Sequence, residues 1–250
     1  MKPIESIDDV ILILDSIIEN SLKTGDTLGY FAVLYQKVTV RVKEEIQNNY
    51  FDDGPRMEKL DVVFAKRYID AYFAWKNNEP VTRSWTIAFT ETRNSNLLVV
   101  QHLLLGMNAH INLDLGIAAA EISKSNNIAE LEDDFNRINE ILTSMVDEVQ
   151  NGLSSIWPFL RKLLSWLGQA DNLLVDFSMK IARNGAWKFA KEIAAVEKID
   201  WPNSIKTRDQ KVTDKTRLIT DPGKVIRFLF RVIRWTERGT VADKIEKLRR

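Results

Sequence analysis

Both histidines of the 250-residue chain fall in one apolar stretch, QHLLLGMNAHINLDLG, together with Asn108, Asn112 and Asp114. Leu, Ile, Ala and Gly surround them. Each polar group must therefore find an internal partner or line a cavity, because an unpartnered one costs about 1–3 kcal/mol. His110 and Asp114 stand four residues apart, on one face of a helix and about 6 Å apart along its axis. At that spacing the carboxylate can hold the imidazole by a hydrogen bond, as the acid does in a catalytic triad. Alternatively, His110 and Asp114 can both ligate a single divalent metal ion. His102 precedes His110 by about 12 Å along a straight helix, too far to share that ion. A third ligand must come from another helix, with Asp61 and Asp134 as candidates.

These residue types suit general acid–base chemistry, and hydrolysis above all. His110 is the candidate base and Asp114 its orienting acid; His102 and Asn108 complete the candidate catalytic set. Arg183, Asn112 and Asn139 are candidate substrate contacts, with Arg183 neutralising an anionic group or pairing with Asp114 or Asp134. Two other readings use the same residues: a pocket for a small-molecule ligand without turnover, and a closed hydrogen-bond network at a helix junction. In the network, His102 bonds a backbone carbonyl and the asparagines bridge helices. Whole classes are excluded by the residues present. There is no Cys, hence no thiol catalysis, Cys-based zinc finger or iron–sulfur cluster, and the composition fits a reducing compartment. No GxxxxGK[ST], dinucleotide glycine fingerprint or HExxH occurs, and GLSSI lacks the second glycine of a nucleophile elbow.

The elements that must position these residues read as an all-α, multi-helix bundle around the apolar segment, a central buried helix. Ten Gly and six Pro in 250 residues fall below average usage and favour long helices. Ile7, Val10, Ile11, Leu14, Ile17 and Ile18 recur at helical spacing with acids opposite. A second helix spans about 27–49. The third follows the turn FDDGPRMEK, with Asp53 in the cap region and Pro55 in the first turn, where a missing N–H costs nothing. It carries an aromatic stripe from Phe64 to Trp75, and Arg67 reads as a surface partner of Asp70. Thr82 or Ser84 caps a short fourth helix, and Gly106 and Gly116 permit close helix approach. Ile128 to Val149 keeps a 3-4 spacing until Pro158; a connector with Trp157 and Trp166 leads to a helix over about 171–198. Trp201-Pro202 closes that helix, and the polar stretch 203–223 reads as a loop before helical C-terminal segments.

The domain organisation expected is a core over 1–202, with a basic loop and C-terminal helices over 203–250 packed on the same domain. Lys+Arg equals Asp+Glu at 35 each, which argues against a nucleic-acid partner. Arg227, Arg231, Arg234 and Arg238 read as a solvated face; an anionic membrane or partner surface is the alternative, and a membrane role is not expected. Acids interrupt the apolar N-terminus, so no secretory signal is expected, no transmembrane helix is expected either, and the expected location is cytoplasmic. Oligomeric state is left open.

The string QHLLLGMNAHINLDLGIA resembles the hallmark of an uncharacterised bacterial family, one of the domains of unknown function. FAVLYQKVTVRV, RMEKLDVVFAKRYIDAY, DDFNRINEIL and IARNGAWKFA also match, over most of residues 27–198. The resemblance implies an α-helical fold and no particular activity. HxxxD at His110 and Asp114 also looks like one element of the helical zinc-dependent phospholipases and nucleases. Their multi-metal clusters use several histidines, and the two in this chain cannot furnish a trinuclear site.

Overall fold

The structure, a computed structural model, describes residues 3–123, 127–145, 152–153, 155–157 and 179–250. Among these residues all regular structure is helical. The first four helices are α1 (Ile7–Thr24), α2 (Leu28–Gln47), α3 (Gly54–Lys76) and α4 (Arg83–Thr90). The central helix α5 runs Val99–Ile122. After it come α6 (Glu132–Ser144), α7 (Met179–Ala194), α8 (Trp201–Thr220), α9 (Lys224–Thr236) and α10 (Val241–Arg249). Pro158, Trp166 and the expected helix start near residue 171 lie outside the described residues.

Local chemistry accounts for the ends. Ser6 and Asp9 form a reciprocal capping box on α1, and Gly25 terminates it in the left-handed conformation at φ 66°. Asp53 caps α3 by accepting from the Arg56 N–H at 2.9 Å, with Pro55 in the first turn. At α4 the expected cap is corrected. Thr82 occupies the cap position but makes no cap bond; Asp209 of α8 accepts from the N–H groups of Arg83 and Ser84 at 2.7 and 3.0 Å.

The expected loop at 203–223 is also corrected: most of it is α8, and Trp201-Pro202 opens that helix instead of closing the previous one. Proline in a first turn forfeits no helical hydrogen bond. The inward stripe of α8 is Asp209, Val212, Thr216 and Ile219. Half of it is polar, which hides the helical period from a hydrophobicity pattern.

By length and composition α5 could cross a bilayer, yet 94% of its apolar window is buried in the protein; it is the bundle's core helix. Its N-terminal half packs on α2, α4 and α8, and its C-terminal half on α3 and most extensively on α7. A Cβ at Gly106 would lie 2.5 Å from the Phe31 ring, and one at Gly116 would lie 2.8 Å from the Ala186 carbonyl oxygen. Both glycines therefore set how closely neighbours approach. Two apolar cores result, one around Phe31, Trp85 and Leu103, the other around Leu113, Phe135 and Phe189. The middle of α5 lies at their seam.

Candidate functional site

At that seam α5 changes its winding. His110–Asp114 forms a π-helical turn, with the Leu115 N–H donating to the His110 carbonyl. Such single-turn insertions are frequent at functional sites. Within the turn His110 Nδ1 lies 3.2 Å from Asp114 Oδ2. The expected pairing is present.

Asp114 has further partners that are remote in sequence. Arg67 Nε donates to Oδ1 at 2.9 Å and Trp85 Nε1 to Oδ2 at 2.8 Å. Arg67 is therefore not the surface mate of Asp70, which Lys66 takes. Burial alone would push the Asp114 carboxyl up; Arg67, then His110 and Trp85, outweigh it and hold it below the ordinary carboxylate range. Asp114 is thus ionised and His110 Nδ1 carries the shared proton. Burial also lowers the His110 pKa, against the pull of Asp114. The imidazole is neutral, and its Nε2 is a bare lone pair.

Among the described residues that lone pair has no hydrogen-bond partner. Phe64 stacks on the imidazole at 3.6 Å between centroids, and Tyr35 meets it edge-on at 4.5 Å. Phe31, Tyr68 and Trp85 complete the box. Among the described residues the Tyr35 hydroxyl also lacks a partner; the Thr39 hydroxyl, one turn on, donates to the Tyr35 backbone carbonyl at 3.0 Å. Burial, then Asp61 and Asp114, push the Tyr35 hydroxyl well above its usual pKa. Asp61, one turn before Phe64 on α3, is raised to about 7 by burial with Glu58 adding to it, and its Oδ2 is unpartnered.

The donors do not fit a metal ion. Both Asp114 oxygens and His110 Nδ1 are already engaged, and Arg67 brings a positive charge to the same spot. Among the described residues no three His, Asp or Glu side chains converge on one point. The other candidate ligand, Asp134, is a structural clasp. It accepts from the N–H groups of Asp52 and Asp53 at 2.7 and 3.0 Å and pairs with Arg56 and Arg137.

The remaining candidates lie in different surroundings. Asn108 donates to the Val212 carbonyl at 3.0 Å and accepts from Asn112 at 3.1 Å; Arg208 donates to the Asn112 carbonyl at 2.8 Å. These asparagines bridge α5 to α8. Asn139 stands half-buried on α6. Arg183 pairs with neither Asp114 nor Asp134. Its guanidinium donates to the Phe135 carbonyl at 2.7 Å and lies over the Phe135 ring, and burial lowers it to about 9. His102 sits near Tyr30 rather than His110. Its Nδ1 is unpartnered, where a carbonyl bond was expected, and burial, with Arg234 and Lys244, lowers its pKa to about 4.

Sequence reasoning therefore missed Arg67, Trp85, Phe64 and Tyr35. A signal was available for two of them: Phe64 and Arg67 sit three residues apart on one face of the aromatic helix. The profile of a family of unknown function, DUF5995, matches residues 7–222. The chain belongs to the DUF5995 family. No curated protein and no solved structure matches it. The DUF5995 match takes in α1 to α8, hence the whole His110–Asp114 assembly, and ends before α9.

Proposed function

We propose that this protein is a hydrolase in which His110 Nε2 is the general base and Asp114 holds the imidazole. One observation carries the reading: the nitrogen left over from the Asp114 bond is a bare, buried acceptor without a partner. An orphaned buried nitrogen costs about 1–3 kcal/mol; His102 carries one as well, but only His110 has a carboxylate holding its other ring nitrogen. In the reaction Nε2 takes a proton from water as that water adds to an acyl or phosphoryl centre, and gives it to the leaving oxygen as the bond to that oxygen breaks, which restores the neutral imidazole. Between the two transfers Asp114 stabilises the imidazolium without taking its proton. Nδ1 stays protonated throughout, so the base works in one tautomer. No serine or threonine donates to His110 among the described residues, which makes water the nucleophile. Arg67 runs from Asp114 outward, its side chain 27% exposed, and is the cation beside the path for an anionic substrate. Phe64, half-buried over the imidazole, is the shutter that must swing aside.

A second reading has its own observation, that His110 is enclosed at 1% exposure: the cluster is then only a helix junction. The variants His110→Phe and Phe64→Ala separate the two, assayed on nitrophenyl esters and phosphoesters with melting curves alongside. The hydrolase reading expects turnover that rises in Phe64→Ala and vanishes in His110→Phe, whose melting point holds or climbs because a phenyl ring fills the same aromatic box. No turnover in any form, with a melting point lowered by about 8 °C or more in His110→Phe, returns the cluster to a structural role.

A further inference from the structure

The helix beyond the family match has an unusual outward face. Phe228 is 65% exposed, Val232 39% and Trp235 88%. At i, i+4 and i+7 they form one stripe about 10 Å long. Lys224, Arg227, Arg231 and Arg238 are exposed with them, and α9 contains no acidic residue. Arg227 meets Asp221 at the surface, a pair of small worth.

This face cannot roll inward, because the opposite side is moored. Ile233 is buried at 6% and Phe230 packs on the first core. Arg234 donates to the Ser95 carbonyl at 2.8 Å and to Glu237 at 2.9 Å. Glu237 in turn accepts from the Val99 N–H and from Lys244, each at 2.9 Å, which ties the end of α9 to the start of α5. Exposure of two aromatic rings is therefore built into the fold.

We propose that the outward face of α9 docks the protein on an anionic lipid surface. Bulky apolar side chains sink to the acyl boundary, a tryptophan ring sits at headgroup level, and flanking cations meet lipid phosphates and carboxylates. A second copy would bring the same cations face to face across a two-fold axis. A nucleic acid would leave the Phe228–Val232 stripe unburied, and the whole chain offers it no net positive charge.

The test is co-sedimentation of the full chain with phosphatidylcholine vesicles, with and without phosphatidylserine, at low and high salt. Binding is expected only with phosphatidylserine, weakened by salt and accompanied by a blue shift of tryptophan emission that Trp235→Phe removes. The double variant Phe228→Ser/Trp235→Ser should bind about tenfold more weakly or worse at an unchanged melting point. Absence of binding to anionic vesicles overturns the proposal, as does equal binding by the double variant. A sharply lowered melting point in that variant overturns it too, since the face is then covered by the chain itself. Vesicle-independent self-association lost in the variant, or preferential binding to RNA, assigns the face to a different occupant.

Discussion

Asp114 and Asp61 are both buried carboxylates beside Tyr35, and the protein treats them oppositely. Asp114, on α5, receives donors from three side chains and is held ionised. Asp61, on α3, keeps an oxygen without a partner and is pushed up to about 7. Burial acts on both in the same direction, so the difference lies in what answers the charge. A satisfied carboxylate orients a base. An unsatisfied one is a reservoir of instability, and such reservoirs collect around functional sites.

The largest effect should come from removing the cation. Arg67→Ala leaves Asp114 charged, buried and short of its ion partner, and should cost about 3–5 kcal/mol in denaturant unfolding at neutral pH. A loss below about 1 kcal/mol would mean that Trp85 and His110 suffice, and the contrast with Asp61 would collapse. Asp61 itself gives the next effect, with the opposite sign. Its folded pKa is raised, so the native state binds the proton more tightly than the unfolded chain. Ionising it therefore erodes stability as pH rises from about 4 to the folded value of about 7. Asp61→Asn should stabilise by about 2–4 kcal/mol above that range and by nothing near pH 4; a pH-independent change would show that Asp61 has an unseen partner. The smallest effect is the control. Asp70→Ala breaks only an exposed pair with Lys66 and should shift stability by less than about 0.5 kcal/mol.

His102 and His110 extend the contrast along one helix. The sequence marks both as misfits in an apolar run, and both are buried. The four-residue spacing to Asp114 singles out His110 locally; that His102 looks toward Tyr30, Arg234 and Lys244 is decided by packing. Likewise the aromatic stripe of α3 is readable as core, but Phe64 becomes the ring stacked on His110 only once α3 and α5 are packed. Arg67 pairs with Asp70 on a helical wheel; in the fold a better acceptor lies across the interface. Arg183 shows the reverse. Its burial is foreseeable from the face it shares with Trp187, four residues on, and its carboxylate partner is not there.

The chain's own order of residues decides the helical class, the amphipathic face of α1, the caps at Ser6 and Asp53, and the concentration of polar groups in α5. Those features depend on interactions within a few residues, which spacing and side-chain type specify directly. Packing alone decides that Asp114 meets Arg67 and Trp85, that Asp209 caps a helix begun 126 residues earlier, and that His110 keeps a free lone pair. Such contacts join chain segments whose separation no local period encodes. Each exists only because the helices carrying it bury apolar surface together, and that burial, not the polar bond, drives the segments into contact.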